Sequence, residues 1–163
     1  MQVNDEVEDE VIDAALTGSR AMIALAVRSL SAAAEDITLA QYRTLVVLAS
    51  RGPQKLADLA EHLAVSPSTA GRMCDRLVRR NLVTRHRARD DRRVVRISLT
   101  AAGRRIVDEA TQRRRAFLAG VLAQLPPSRR HEVAAALRAF ADAAGEIPDD
   151  QWPRGPVETA GRL

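Results

Sequence analysis

Residues 56–100 read LADLAEHLAVSPSTAGRMCDRLVRRNLVTRHRARDDRRVVRISLT. The first part, 56–64, carries Leu56, Leu59, Ala60 and Leu63 at helical spacing. Ser66 then caps a second helix that opens on Pro67, where a missing N–H costs nothing. Its inward stripe is Ala70, Met73, Cys74, Leu77 and Val78. Asn81 stands where a glycine would end that helix, because asparagine tolerates the left-handed conformation. Two β-branched runs, 82–87 and 93–99, flank the basic tip ARDDRR and read as a hairpin. Helix, turn, helix and basic hairpin is the order of a winged helix-turn-helix, a fold whose second helix suits a DNA major groove.

Charge agrees with the pattern. Residues 51–96 hold twelve bases against five acids, a net of +7, whereas the whole 163-residue chain is +4 and the remainder therefore −3. Concentrating positive charge on one module is what a polyanion-binding surface requires. Outside the inward stripe of the second helix lie Ser68, Thr69, Arg72, Arg76 and Arg79. Ser66, Pro67, Ser68 and Thr69 form its N-terminus, whose N–H groups suit a phosphate. Arg72 and Arg76, four apart, share a face and can reach base edges, where arginine on guanine is the commonest specific contact. Arg79 and Arg80 fit helix-dipole complementation as well as DNA contact. Arg89 and Arg92, at the hairpin turn, suit a minor groove.

Working outward, residues 7–34 read as a long helix with Val7, Val11, Ala14, Ala15, Gly18, Met22, Leu25 and Leu30 at three- and four-residue steps. Thr38 and Gln41 form a capping box for a helix with Leu39, Tyr42, Leu45, Val46, Leu48 and Ala49 inward, stopped by Gly52-Pro53. Thr100 caps a helix over about 101–125, with Ile106, Ala110, Phe117, Val121 and Leu125 on one stripe. After Pro126-Pro127, Ser128 is expected to cap a last helix to about residue 144, with Val133, Ala136, Leu137 and Phe140 inward. Residues 146–163 read as an irregular tail. The fold expected is mainly α with a small β-hairpin wing. A winged helix-turn-helix lobe, 38–100, is flanked by a helical dimerisation region, 7–34 and 101–145, whose apolar stripes a two-fold partner would bury.

Hydrophobic content of 46% with only 2% aromatic residues calls for an aliphatic, helix-rich core. The single cysteine excludes an internal disulfide and suits a reducing compartment. No apolar run approaches the roughly 18 residues of a membrane span. The acidic stretch NDEVEDEVID lacks the positive region of a secretory signal, so a soluble, cytoplasmic protein with no membrane partner is expected. Cys74 lies on the inward stripe and reads as core rather than as a redox sensor. His62, His86 and His131 lack metal-ligand spacing. With no nucleophile–base set and no phosphate loop, neither an enzyme nor a cofactor or metal site is expected.

SPSTAGRMCDRLVRRNLVTR (66–85) and DRRVVRISLTAAG (91–103) resemble the MarR family of bacterial transcription regulators, and the likeness in element order and spacing covers about residues 10–145. Its most specific part is Asp91-Arg92-Arg93 followed by Leu99-Thr100-Ala101-Ala102-Gly103. Asn81 departs from the family's usual glycine, and Lys55 from its usual small hydroxyl cap. The resemblance implies a homodimer with two recognition helices in successive major grooves of a pseudo-palindromic double-stranded operator. It implies wings along the flanking minor grooves, with Arg93 folded onto Asp91 to hold the tip. It also implies, for many members, release from DNA when a small, often phenolic effector enters a cleft between dimer helices and lobe. Tyr42, Arg43 and His62 fall where that cleft would place polar or aromatic groups. The function expected is therefore a dimeric DNA-binding transcription regulator, a repressor. A winged-helix protein–protein module is the alternative, but apolar anchors would then face outward in place of Ser, Thr and Arg.

Overall fold

The computed structural model describes residues 2–34, 36–87 and 94–153. The expected wing-tip residues Arg89, Asp91, Arg92 and Arg93, and tail residues 154–163, lie outside the described residues. Six helices, α1 (Gln2–Ser31), α2 (Leu39–Arg51), α3 (Leu56–His62), α4 (Pro67–Arg79), α5 (Ala101–Leu122) and α6 (Pro127–Ala143), accompany three strands, β1 (Gln54–Lys55), β2 (Val83–Arg87) and β3 (Val95–Leu99).

Capping explains most of these boundaries. The Thr38–Gln41 box is present in both directions, with Gln41 N–H donating to Thr38 Oγ1 at 3.2 Å and Thr38 N–H to Gln41 Oε1 at 3.0 Å. Ser66 accepts from the Thr69 N–H and Thr100 from the Gly103 N–H. Asn81 takes φ 56°, and Leu82 N–H returns to the Leu77 carbonyl at 2.9 Å, which closes α4 as a glycine would. The turn between α3 and α4 places Ala64 at φ 51° without a glycine, a feature the sequence pattern did not show.

Sheet order is β1-β3-β2, antiparallel throughout. The two-residue β1 was not expected from the sequence, being too short to show a period. It pairs Gln54 with Ile97 and Lys55 with Arg96 and so fixes the end of α2 to the wing. The core is aliphatic and gathers Leu45, Leu48, Leu59, Leu77, Val83, Ile97, Val107 and Ala110 with Leu30 and Ile37. It thereby joins the lobe to the end of α1 and the first half of α5.

Several expected inward positions are corrected. Val78 and Leu39 are exposed, because each sits at a helix end where no neighbouring element covers it. On α5 it is Val107 that is fully buried while Ile106 is half-buried and Val121 exposed. Ser128 does not cap α6. A residue preceding proline is pushed into extended backbone, so Pro126 takes the cap position (ψ 145°) and Pro127 opens the helix. None of the α6 residues is buried within the chain, and Leu137 and Phe140 are exposed. Most of α1, about 45 Å long, is likewise uncovered, with Val11, Ile12, Leu16, Ile23 and Val27 exposed.

The segment expected as an irregular tail is irregular apart from one turn as far as it is described, but it packs back on the chain. Residues 145–153 form a strap that runs back over α2 and α5 and includes a short 3-10 turn, Asp149–Gln151. Trp152 packs half-buried against the core and donates Nε1–H to the Ile147 carbonyl at 2.8 Å. Arg51 donates to the Gly145 carbonyl at 2.8 Å, and Arg115 pairs with Asp149 at 3.5 Å. Arg43 grips both carboxylate oxygens of Glu146.

Candidate functional site

Two places draw together the residues singled out from the sequence. The first is the exposed side of α4. Ala70, Cys74 and Leu77 are buried beneath it, and that stripe turns Ser66, Pro67, Ser68, Arg72, Arg76 and Arg79 to the surface, with Thr69 half-buried. Ser66 Oγ lies 3.0 Å from both Ser68 Oγ and Thr69 Oγ1. Arg72 Nη2 donates to Thr69 Oγ1 at 3.2 Å, so Arg72 is held over the first turn of the helix. Arg76 lies one turn further along the same face.

Two arginines of this region brace the helix in ways the sequence does not show. Arg85 on β2 pairs with Asp75 on α4 at 2.8 Å and reaches the Gly71 carbonyl at 3.4 Å, tying the helix to the wing sheet. Arg80 pairs with Asp36 at 3.6 Å, tying the end of α4 to the segment before α2. Arg85 has no distinct role in the sequence pattern, and Arg80 reads there as dipole complementation or DNA contact, so neither pairing is signalled. Beneath the surface, burial pushes the Cys74 thiol up, opposed by nearby Arg85 and reinforced by Asp75, so its reactive thiolate is disfavoured.

The second place is a cleft of about 430 Å³ between α2, α5 and the strap. Tyr42 and Arg43 both line it. Tyr42 is buried, with its ring beneath the Arg114 guanidinium at 5.5 Å. His62 is not among the lining residues. It is exposed at the end of α3, where Nδ1 hydrogen-bonds the Asp58 carbonyl at 2.6 Å. Among the described residues no group of three or more His, Cys, Asp or Glu could hold a metal ion, and no helix is long and apolar enough to cross a membrane.

Comparison with known proteins bears on both places. The MarR family model matches residues 37–95, from just before α2 to the first residue of β3. The chain is 32% identical over 121 residues to the HTH-type transcriptional repressor MdtR of Bacillus subtilis, covering 74% of this chain and 78% of that one. The crystal structure of RV1404 from Mycobacterium tuberculosis superposes with a TM-score of 0.81 at 42% identity, covering 86% of this chain and 95% of the other. BpsR of Bordetella bronchiseptica, a protein whose DNA binding is regulated by 6-hydroxynicotinic acid, superposes with a TM-score of 0.55 at 25% identity, covering 78% and 92%. With the winged helix-turn-helix in place and these relatives matched along most of their length, the chain belongs to the MarR family of transcriptional regulators.

Proposed function

We propose that the chain acts as a homodimeric repressor that binds a pseudo-palindromic duplex through α4 and the wing and is released by a small effector. The observation that carries this reading is the exposed face of α4. Hydroxyls sit at its N-terminus, Arg72 and Arg76 follow at one-turn spacing, and the Arg85–Asp75 pair braces the helix from its flank. Such a face suits phosphate at the first turn and base edges beyond it. Ser66, Pro67, Ser68 and Thr69 are assigned to phosphate contact. Arg72 and Arg76 are assigned to bases, and Arg89 and Arg92 to the flanking minor groove. The exposed apolar rows of α1, α5 and α6 support dimerisation, since nothing among the described residues covers them. That MdtR is a repressor supports repression here. The regulation of BpsR by 6-hydroxynicotinic acid supports an effector, with Tyr42 and Arg43 in the receiving cleft. An outward α4 face of Ser, Thr and Arg offers a protein partner no apolar anchor, so the interaction-module reading gains no support. Selection of bound duplexes from a random DNA pool, followed by gel shifts across a salt series, tests the proposal. A two-fold symmetric consensus with steep salt dependence is expected, and absence of any consensus would overturn it.

A further inference from the structure

No residue of α6 is buried by its own chain, yet both ends of this helix are fixed. At its start Arg130 reaches back over the elbow. It donates from Nε to the Leu125 carbonyl at 3.0 Å and from Nη2 to the Ala123 carbonyl at 3.1 Å, so the free carbonyls that follow α5 hold the turn. At its end Gly145 takes φ 69° and donates its N–H to the Asp142 carbonyl at 3.1 Å, while the Glu146 N–H reaches the Ala141 carbonyl at 3.0 Å. That double closure sets the direction in which the strap leaves the helix. Arg43 then grips Glu146 with two parallel bonds, Arg51 holds the Gly145 carbonyl, Arg115 pairs with Asp149, and Trp152 packs on the core. Arg43 and Arg51 both stand on α2, whose end runs into β1 and so into the wing sheet.

We infer that the strap is a tie that fixes the angle between α6 and the DNA-binding lobe, and that the Arg43–Glu146 pair thereby positions α4 for one half-site spacing on the operator. This rests on the homodimer and operator readings above and goes beyond them, because it assigns spacing selectivity to residues outside α4 and the wing. A helix with a bare surface and two fixed ends passes on the position of whatever covers it. In a two-fold dimer each α6 is set by the partner, so the direction of each lobe follows from how stiffly its strap joins α6 to α2. Without the strap, α6 would be joined to the lobe only through the length of α5. One base pair added at the operator centre separates the half-sites by about 3.4 Å and turns one against the other by about 35°. A stiff tie resists that displacement of the lobe, and a loose one lets the lobe follow it.

The distance between the two lobes tests the tie without DNA. Spin labels on Glu61→Cys, exposed on α3, report it by electron–electron double resonance, and the buried Cys74 stays unlabelled. The full-length protein should give one narrow distance. Arg43→Glu, which sets two carboxylates against each other, should broaden it. Arg43→Glu combined with Glu146→Arg restores the pair in reverse at unchanged net charge and should narrow it again. On the consensus duplex obtained by selection, one base pair inserted at the centre should cost the full-length protein roughly tenfold or more in affinity, the worth of one misplaced base contact. Arg43→Glu should shrink that loss by roughly two- to fivefold, the worth of a half-exposed ion pair, and the swap should restore it. A pair that only supports folding would lower the melting temperature and weaken both duplexes equally, leaving their ratio unmoved. That result, or an unchanged distance distribution in Arg43→Glu, would overturn the tie alone. Broadening that persists in the swap would overturn the pair as its seat. Absence of any label-to-label distance would instead overturn the homodimer reading, and equal binding to every duplex the operator reading, each taking the tie with it.

Discussion

Gly103, three residues into the cap of α5, lies so close to the Leu82 carbonyl that a Cβ on it would collide with that oxygen, and would come within 2.7 Å of Leu99 Cδ1. Thr100 donates its backbone N–H to the same Leu82 carbonyl at 3.1 Å and its hydroxyl to the Asn81 carbonyl at 2.7 Å. The Leu-Thr-x-x-Gly pattern is thus the junction that seats α5 on the end of α4. Gly103→Ala should destabilise the fold despite alanine's better helix propensity, worth about 1 kcal/mol. Overpacking costs about 1–3 kcal/mol, and a backbone obstacle that no rotamer change relieves belongs at the upper end or beyond. Urea unfolding of the two proteins measures the difference. Equal midpoints would mean that α5 shifts freely at its start.

Cys74 is fully buried and its thiol is raised by that burial. A folded-state value above the unfolded one means the contribution to stability is fully present below about pH 8.5, the unfolded thiol's range, and is lost as pH rises through the folded value. The denaturation midpoint should therefore fall with increasing pH above that point, and fall less steeply in Cys74→Ala. Native protein at pH 8 should resist iodoacetamide while urea-unfolded protein reacts readily. Equal reaction rates in the two states would contradict the burial.

What could be read in advance follows the range of the forces involved. Thr38, Ser66, Asn81 and Thr100 act on backbone groups within a few residues, so their motifs announce α2, α4 and α5 directly. The inward sides of α3 and α4 were legible because lobe elements cover them. On α6 the same periodicity marks an apolar row, Leu137 and Phe140, without saying whose surface meets it. Long-range pairs were invisible. Nothing in the order of residues joins Arg43 to Glu146 or Arg85 to Asp75, and β1 is a strand only because β3 lies beside it. Arg114 carries no signal in the sequence, because its seat over Tyr42 and its buried Nε and Nη2 without hydrogen-bond partners exist only in the folded chain.

The uncovered rows on α1 and α6 lead to a prediction of assembly. Leu16, Ile23 and Phe140 are each more than half exposed in the single chain. A two-fold interface uses each residue twice, and full burial of such a side chain is worth about 1.5–3 kcal/mol. Light scattering should give twice the 17.8 kDa chain mass at micromolar concentration. Phe140→Ala should raise the dimer dissociation constant on the order of a hundredfold. A monomer at micromolar concentration would place these rows outside the interface.

Operator binding provides the most discriminating prediction, because each group on α4 is assigned a different job. A dimer with one recognition helix per half should select half-sites centred roughly 10 base pairs apart. If it neutralises about eight phosphates, log K should fall with log salt at a slope of about −7. Arg72→Ala and Arg76→Ala should each cost about 1–3 kcal/mol per base contact and relax preference at one position of the half-site. Arg92→Ala should instead weaken binding and flatten any A·T preference at the flanks. Asp75→Ala leaves Arg85 only its longer bond to the Gly71 carbonyl and so loosens the brace. It also removes a negative charge beside α4, so random-duplex binding should hold or rise while operator binding falls, narrowing the ratio between them. Full operator affinity in the Arg72/Arg76 double variant would refute the docking, since these two carry the base contacts assigned to α4.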